Sequence, residues 1–521
     1  MSFTSFYFYI FIALLLLFFF SVPSKMRWEV LLVSSIIFYA TWGIEKIPFI
    51  LASTLVAYIV ANSITNRYDT LDERLKEQGD TEKEKKQRVR VKNTNRSVLL
   101  IGIAWLLFFL LYVKIGKLYE EATEGAISII VPLGISYYTF SLIGYMADCY
   151  WKKDRAEKNF LKLLLFAIYF PKILQGPISR HKNLSPQLEE GHSYNYKNLC
   201  YGLQLMLWGY FKKLVIADRL AIFVNYVYGD YWHKSGSMLL VATIFGAFQL
   251  YCDFSGCMDM ACGFSEIIGI KMESNFNHPF FSETASEFWR RWHITLGTWF
   301  KDYVYMPIST APWMMKLMMR VKQKAGMGIA KNVGTIISLS IVWLLTGLWH
   351  GTGLNYIIWG VYWGTLIILE LLLGPVFNRL NEKLHINTDS SEWKLFRKIR
   401  TFILFVISRV ITIPGDFSVS IEVFKKIFSK KFYPWELVDG TIYNMGLNRP
   451  NFIVVIVFLI ILYFASRYQE NKASPSAIRD WLSERQIVAR WAILYLLFFG
   501  ILIFGIYGPG YDASSFVYMK F

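Results

Sequence analysis

Long apolar segments alternate with charged segments along most of the chain. Residues 3–22 form the first apolar segment and carry no charge. At a helical rise of about 1.5 Å per residue, a segment of this length spans the roughly 30 Å hydrocarbon core of a bilayer. No Lys or Arg precedes it and no small-residue cleavage site follows it. We therefore expect a retained membrane helix rather than a signal peptide.

The same pattern recurs eleven more times, which predicts twelve membrane-spanning helices. Two of these segments are the least apolar: one contains Lys212 and Lys213, and the other contains Arg400 and Arg409. The predicted spans after the first are residues 28–43, 47–63, 97–116, 126–148, 197–217, 238–258, 333–350, 353–373, 399–414, 451–467 and 490–507.

Charged segments between the spans predict the orientation of the chain. Residues 67–96 hold ten basic and seven acidic residues and show no apolar periodicity, which indicates a solvated loop. Because Lys and Arg accumulate on the cytoplasmic side of membrane proteins, we place this loop in the cytoplasm. Both termini are then expected outside, with 1–507 as the transmembrane domain and 508–521 as an extracytoplasmic tail.

Composition supports a membrane protein rather than a soluble one. Hydrophobic residues make up 55% of the 521 positions and charged residues 18%, whereas about a quarter of a soluble chain is charged. The net charge of +17 would suggest nucleic acid for a soluble domain, but here the cytoplasmic excess of Lys and Arg accounts for it. The five cysteines form no CxxC pair, so we expect buried reduced thiols and no metal site.

The apolar segment 160–180 is broken by Pro171, Gly176 and Pro177. Irregular backbone of this kind persists at membrane depth only where protein or water surrounds it. We predict a re-entrant segment, and Gln175 within it is a candidate lining or structural residue.

A second segment, 285–307, mixes aromatic and charged residues. Its aromatic residues recur near helical spacing, which is typical of an amphipathic helix at the membrane interface. That interpretation explains the tryptophans but does not require His293 beside Arg290 and Arg291. We predict a re-entrant or interfacial segment.

Asp253 and Asp259 lie at the end of an apolar run. Carboxylates within a membrane are rare and usually belong to functional sites. Asp253 could instead cap the following segment, and the sequence leaves both interpretations open.

His350 lies between two uncharged spans and is surrounded by small residues, including Gly347, Gly351 and Gly353. Small residues let backbones or a substrate come close. A buried histidine requires a function or a partner. It is either a structural residue bonded to a carbonyl or a reactive group, and composition alone does not decide between them.

Together these segments resemble the membrane-bound O-acyltransferase family, and within it the branch that includes the alginate O-acetyltransferase membrane subunit. The order and spacing of the matching pieces make the resemblance specific. The pieces are Leu133-Gly-Ile-Ser-Tyr-Tyr-Thr-Phe140, Phe170-Pro-Lys-Ile-Leu-Gln-Gly-Pro177, Gln249-Leu-Tyr-Cys-Asp-Phe-Ser-Gly256, Glu287-Phe-Trp-Arg-Arg-Trp-His-Ile294 and Leu348-Trp-His-Gly351.

The resemblance implies an all-α polytopic membrane protein, a ring of about 11–12 transmembrane helices with re-entrant segments around a central tunnel. It implies that His350 is the catalytic histidine and His293 the second polar residue of the site. Trp349 and Gly351, with Asp253, are candidates for lining the tunnel. Residues 309–312 depart from the Leu-Gly-Gly of many relatives, which weakens any detailed expectation for that loop.

The last six residues, Phe516-Val-Tyr-Met-Lys-Phe521, resemble the Phe-x-Tyr-x-x-Phe tail of some bacterial acyl-transfer systems. In those systems the tyrosine, here Tyr518, is thought to take the acyl group before it passes to the polymer. An aromatic anchor at the membrane interface is the alternative.

We therefore predict an O-acetyltransferase of the bacterial cell membrane that passes an acyl group from a cytoplasmic thioester to hydroxyls of an extracellular cell-envelope polysaccharide. The donor is expected to be acetyl-CoA, another acyl-CoA or an acyl-phosphopantetheine on an acyl carrier protein, with no bound cofactor. Arg290, Arg291 and Trp289 are candidates for binding the donor, because arginines suit phosphate groups. We expect a separate extracytoplasmic transferase and membrane lipids as partners, and no nucleic acid.

Three alternatives remain open at this stage. One is D-alanyl transfer to teichoic acid from a carrier protein, and another is acylation of a lipid or a protein. The third is a polytopic transporter, since broken segments and buried ionisable residues also occur in transporters. Against the transporter, the Trp-His-Gly motif at residues 349–351 has no counterpart in the first half of the chain.

Overall fold

The protein is described here by a computed structural model that covers residues 1–76, 82–123, 129–508 and 511–512. These residues are almost entirely helical, and their extended pairing is limited to an isolated bridge between Phe276 and Trp292. The predicted all-α fold class is confirmed. The longer helices are Phe6–Ser21, Arg27–Ala40, Ile47–Lys76, Glu82–Ala122, Ile135–Tyr150, Phe160–Ile168, His181–Glu190, Tyr196–Tyr210, Asp218–Gly229, Gly236–Ile267, Pro312–His350, Leu354–Lys383, Ser391–Thr412, Phe417–Ile427, Arg449–Lys472 and Ile487–Phe504.

Seven helices of the described residues are long and apolar enough to cross a membrane, and each coincides with a predicted span. Many of their large apolar side chains are exposed, as expected for surfaces that face lipid; Leu496, for example, is 75% exposed. The chain is an integral membrane protein. The seven helices are Ile44–Leu75, Glu82–Glu120, Gly236–Ile267, Pro312–His350, Leu354–Lys383, Arg449–Lys472 and Ile487–Phe504.

Four of the other five predicted spans correspond to shorter or interrupted helices, whereas 399–414 falls largely within a continuous helix of 22 residues, Ser391–Thr412. The first is a helix of 16 residues, Phe6–Ser21, and the second has 14 residues, Arg27–Ala40. The span predicted at 126–148 begins its helix only at Ile135. Near Lys212 and Lys213 the α-helix Tyr196–Tyr210 passes into a π-helical stretch, Phe211–Ala217. For these four segments, apolar composition identified the span but overestimated the continuous helical length.

The segment 67–96, predicted as a loop, is instead helical wherever the structure describes it. Helix Ile47–Lys76 continues past the membrane span, and the next helix begins at Glu82. Glu, Lys and Arg favour helix when they are solvated, and an i,i+4 pair joins Lys86 to Glu82 at 3.2 Å. The absence of apolar periodicity indicated solvent exposure, which a polar helix satisfies as well as a loop does. Its cytoplasmic location stays a prediction.

The chain folds into two compact units, the first comprising Met1–Leu203 and Ala261–Glu273. Its helix Phe160–Ile168 ends at Tyr169, whose ψ of 110° is not helical, and a short second helix, Phe170–Ile173, begins there with Pro171 in its first turn. Pro171 has no N–H to continue the hydrogen bonds of the first helix. The interrupted stretch is buried: the Phe170 ring packs 5.2 Å from Phe38 and 4.9 Å from Phe264 between centroids. The Phe170 N–H donates to the Ser35 hydroxyl at 3.2 Å. The predicted break in 160–180 is confirmed, while its depth in the membrane stays a prediction.

The second unit comprises Gln204–Met260 and Ser274–Phe521. Its central feature is a hairpin of two long helices, Pro312–His350 and Leu354–Lys383. Glycines allow their backbones to touch: a Cβ on Gly347 would lie 2.6 Å from the Tyr356 carbonyl oxygen. A Cβ on Gly360 would lie 2.5 Å from the Trp343 carbonyl oxygen. Small residues are thus required where these two helices cross.

Candidate active site

His350 is the last residue of the helix Pro312–His350, and Gly351 begins the turn to the next helix. The side chain is only 6% exposed. Its ring packs edge-on against two indoles, those of Trp349 and Trp359, with centroid separations of 4.6 Å each. The histidine is therefore held at a helix end inside an aromatic pocket of the second unit.

Position 351 requires glycine because the Tyr356 ring lies close to it, not because of its backbone conformation. Its φ of −178° is extended and open to any residue. A Cβ at this position would lie 2.1 Å from the Tyr356 ring, so a side chain there would displace that ring. The small residues seen in the sequence are therefore needed to close the turn beside His350.

His293 lies at a break between two short helices, Ala285–Arg291 and Ile294–Phe300. The interfacial helix that residues 285–307 suggested is therefore not continuous. Trp292 is extended and His293 has a φ of 47°, in the left-handed region. Asn275 stabilises this break with two hydrogen bonds. Its backbone carbonyl accepts from the Ile294 N–H at 3.1 Å, and its side-chain oxygen accepts from the Thr295 hydroxyl at 2.6 Å.

His293 is buried, with 1% of its surface exposed. Its ring packs edge-on against Phe254 at 4.9 Å and against Trp349 at 6.0 Å between centroids. Burial lowers the pKa of His293 to about 3, so the ring is neutral at physiological pH. Trp349, predicted as a lining residue, thus contacts the rings of both histidines.

Trp289 belongs to the aromatic cluster next to His350. Its ring centroid lies 5.4 Å from that of Trp359 and 4.9 Å from that of Trp343. The buried indole N–H of Trp289 hydrogen bonds to no described residue. The sequence predicted a role for this residue in binding the donor, and the structure places it beside the wall of the histidine pocket.

The two arginines predicted to bind the donor have different surroundings. Arg291 is held between two carboxylates, 2.8 Å from both Glu287 and Glu470. Arg290 is exposed, and no described carboxylate pairs with it. Of the two, Arg290 has the guanidinium that is open to an anionic ligand, and the contacts of Arg291 are those of a structural residue.

Asp253 lies inside the helix Gly236–Ile267, so it does not cap the segment that follows. Its carboxylate lies 2.6 Å from the Nζ of Lys213, which also lies 2.8 Å from Asp218. These groups are all buried, and each charge has an opposite charge beside it, as burial requires. The other lysine of the predicted span 197–217, Lys212, lies 2.7 Å from Asp259. Both lysines that made this span less apolar are therefore paired with carboxylates.

The Tyr511 hydroxyl extends this buried network toward the end of the chain. It donates to the second oxygen of Asp218 at 2.9 Å. The Ile506 N–H donates to the Leu214 carbonyl at 2.9 Å. The segment that precedes the predicted tail is therefore fastened to the second unit. Tyr518 itself lies outside the described residues.

Gln175 belongs to the first unit, where it is fully buried. Neither atom of its amide hydrogen bonds to a described residue. Nearby in sequence, the buried Lys172 has its Nζ 3.7 Å from the centroid of the Phe166 ring. Burial lowers the pKa of Lys172 to about 7.

Sequence reasoning missed Asn355, five positions after His350. It is 1% exposed, and neither its amide oxygen nor its nitrogen hydrogen bonds to a described residue. A buried amide without partners carries a cost of roughly 1–3 kcal/mol, which a bound ligand would relieve. The signal in the sequence was a lone polar residue in the first turn of an apolar helix.

Part of the chain is similar to a known family of membrane enzymes. Residues 152–317 match the model of MBOAT, the membrane-bound O-acyltransferase family. The chain therefore contains a domain that matches this family. The match includes the interrupted stretch 160–180 and His293, while His350 lies beyond it. The predicted family and the predicted O-acyltransferase activity are confirmed, and the chain is a membrane O-acyltransferase.

Three relatives show which acyltransferases are similar. A probable alginate O-acetylase of Pseudomonas syringae pv. tomato is 28% identical over 86% of this chain and 78% of its own length. A peptidoglycan O-acetyltransferase of Helicobacter pylori is 29% identical over 68% of this chain and 66% of its own. A teichoic acid D-alanyltransferase of Bacillus subtilis is 30% identical over 45% of this chain and 58% of its own.

Proposed function

We propose that this acyltransferase transfers acetyl groups from a cytoplasmic thioester to hydroxyls of a cell-envelope polysaccharide outside a bacterial plasma membrane. The observation that carries the proposal is the position of His350, buried at a helix end among aromatic rings and next to a turn that only glycine closes. Relatives named for alginate and peptidoglycan O-acetylation cover most of the chain, which supports acetyl as the group and a polysaccharide as the acceptor.

His350 would act as the general base. A thioester is already activated, whereas a hydroxyl is un-ionised at neutral pH and needs its proton removed. As the hydroxyl oxygen attacks the carbonyl carbon, a ring nitrogen of His350 takes the proton and a C–O bond forms. The C–S bond then breaks, and the same proton passes to the leaving thiolate. Such assistance typically contributes about 10²–10⁴ in rate.

His293 and Asn355 would support this step as neutral polar groups. His293 would orient His350, stabilise the oxyanion or hold the donor. Asn355 can donate its amide N–H to an oxyanion, because no described residue accepts it. Arg290 would bind the donor's phosphate groups, since its guanidinium is exposed and has no described carboxylate partner.

Tyr518 would be the first acceptor in this proposal. A phenol has a reference pKa near 10, far below that of a sugar hydroxyl, so it is the easier group to deprotonate. Tyr511 fastens the preceding segment to Asp218, and seven positions separate Tyr511 from Tyr518. Seven extended residues reach about 23–25 Å, which allows the tail to return toward the protein. A separate extracytoplasmic transferase would then move the acetyl group to the polymer.

D-alanyl transfer to teichoic acid from a carrier protein is the second candidate. The relative from Bacillus subtilis favours it, although that match covers less than half of this chain.

Inverted membrane vesicles that contain the chain test these alternatives directly. They are supplied with acetyl-CoA labelled in the acetyl group, or with a carrier protein charged with labelled D-alanine, and with cell-envelope polysaccharide inside. The proposal predicts covalent label from acetyl-CoA on Tyr518 of the chain and, where the extracytoplasmic transferase is enclosed as well, on the polysaccharide. Label only from the D-alanyl carrier would replace it with the second candidate, and no covalent label from either donor would contradict the proposal.

A further inference from the structure

A cavity of about 440 Å³ lies in the second unit, apart from the histidine pocket. Two helices form its long walls. Helix Ser391–Thr412 contributes Leu395, Ile399 and Phe402, and helix Arg449–Lys472 contributes Leu459, Leu462 and Tyr463. Leu395, Ile399 and Phe402 are four and three positions apart, and Leu462 and Tyr463 follow Leu459 by three and four. Residues at these spacings share one face of a helix, so each helix presents an apolar stripe to the cavity.

The cavity opens sideways, onto the apolar surface of these helices. At its opening Leu395, Ile399 and Tyr463 are each exposed by half or more of their surface. The end wall is closed by Tyr251 and Phe280, whose rings pack within 6.1 and 6.4 Å of Trp292 between centroids. An apolar groove that is open along membrane helices accommodates a hydrocarbon chain.

One end of the groove is basic. Lys394, Lys398 and Arg467 line it there, with Ser391 and Ser466 beside them. Other charges in this region are already matched: Arg397 lies 2.6 Å from Glu283, and Glu470 lies 2.8 Å from Arg291. Lys394 has only a distant partner, Asp389 at 3.8 Å, and no described carboxylate pairs with Lys398 or Arg467. The basic end therefore has an excess of positive charge that protein groups leave unmatched.

We propose that this groove binds an anionic phospholipid. The headgroup phosphate lies between Lys398 and Arg467, and the upper part of one acyl chain lies along the stripe from Tyr463 to Leu459. From Arg467 to Leu459 the helix advances about 12 Å, enough for a phosphate and the adjoining carbons of one chain. Basic pockets between membrane helices bind phospholipid headgroups by this combination of charge and apolar contact.

The geometry favours a lipid over the thioester donor as the occupant. A donor must bring its carbonyl to His350, whereas this groove ends at the packed rings of Tyr251 and Phe280. Its exposed lining lies on two helices whose apolar segments, 399–414 and 451–467, are predicted to span the membrane, where a phospholipid would enter without leaving the bilayer. Tyr251 and Phe280, which close the groove, also contact Trp292, the residue before His293. A bound lipid would therefore also stabilise the helix break at His293.

The test uses the full chain purified in a neutral detergent. Phosphatidylglycerol and phosphatidylcholine with identical acyl chains are added in turn, and bound lipid is counted by native mass spectrometry. The proposal predicts tighter retention of phosphatidylglycerol. The double variant Lys398→Gln/Arg467→Gln should reduce this retention by roughly tenfold or more, because each basic side chain near a membrane surface attracts anionic lipid.

The matched control is Lys316→Gln/Arg320→Gln, which removes two exposed charges elsewhere in the second unit and should leave retention unchanged. Ser466→Phe fills the basic end of the groove and should reduce retention of both lipids, which provides a test if the double variant fails to fold. Equal retention of the two lipids, or full retention by the double variant or by Ser466→Phe, would overturn the proposal. Displacement of phosphatidylglycerol by excess coenzyme A would also overturn it, because the basic end would then be part of the donor site.

Discussion

The rings of His293 and His350 pack edge-on against the same indole, that of Trp349, with centroid separations of 6.0 and 4.6 Å. The two histidines are 57 positions apart in the sequence; His293 lies at a break between two short helices, and His350 ends a long one. Their shared contact makes them parts of one site in the second unit. A change to either ring is therefore expected to reach the other through Trp349.

His293→Asn should preserve the fold better than His293→Ala. The left-handed φ of 47° is several-fold more accessible to asparagine than to alanine. We expect the alanine variant to melt at a lower temperature and to lose more activity than the asparagine variant. Thermal unfolding in detergent and acetyl transfer, measured on both variants, check this. Equal melting temperatures would show that the backbone at this break is not strained.

The buried ring of His293 also predicts a pH dependence of stability. Its pKa is about 3 in the folded chain against 6.5 in the unfolded chain, so between these values the unfolded state binds the extra proton. Its contribution to stability is complete above about pH 6.5 and is lost as the pH falls toward 3. Melting temperatures of the wild type and His293→Asn should therefore converge as the pH drops from 7 to 4. A difference that stays constant over this range would contradict the burial of a neutral ring.

Gly351→Ala should disturb the turn beside His350. The added Cβ would lie 2.1 Å from the Tyr356 ring, so the ring or the turn must move. We expect the acetyl-transfer rate to fall at least tenfold, as measured in membranes that contain equal amounts of protein. Gly374→Ala in the same helix hairpin is the control, since nothing lies within 4 Å of a Cβ there. That variant should keep full activity, because alanine in a helix interior is favoured over glycine by about 0.5–1 kcal/mol.

Several parts of this account followed from the sequence because they depend on local composition. Long uncharged runs identified the seven apolar helices, and Pro171 identified the interruption in 160–180. The small residues around His350 indicated the tight turn that the structure places there.

Other features depend on partners distant in the sequence and so had no local signal. The break at His293 is held by Asn275, and the buried lysines are matched by Asp218, Asp253 and Asp259. The aromatic spacing of 285–307 suggested one amphipathic helix because nothing in that segment shows the hydrogen bonds that interrupt it. For the same reason the burial of the Asn355 amide was not foreseen.

Tyr511→Phe should weaken the attachment of the tail without affecting the site itself. The variant loses the hydroxyl that donates to Asp218 and keeps the ring. If the tail delivers Tyr518, transfer to the polysaccharide should fall several-fold while the melting temperature changes little. Tyr507→Phe removes a hydroxyl that bonds only within its own segment, to Leu502, and serves as the control. Equal activity of the two variants would show that the attachment at Asp218 does not guide the tail.

Tyr518→Phe should abolish acetylation of the polysaccharide and leave expression and folding unchanged. The phenol oxygen is the atom that would carry the acetyl group, and phenylalanine lacks it. Peptide mass spectrometry of the wild type after incubation with labelled acetyl-CoA should find the label on Tyr518. Full polymer acetylation by the variant would remove the tyrosine relay and leave direct transfer to the acceptor.

The most direct test of the whole account is the acyl-transfer rate of His350→Ala in membrane vesicles supplied with labelled acetyl-CoA. We expect a fall of about 10²–10⁴ at normal protein levels, because the general base is gone. His233→Ala, which alters an exposed histidine of the same unit, should transfer at the wild-type rate. A His350→Ala variant that folds and transfers label as fast as the wild type would contradict the account.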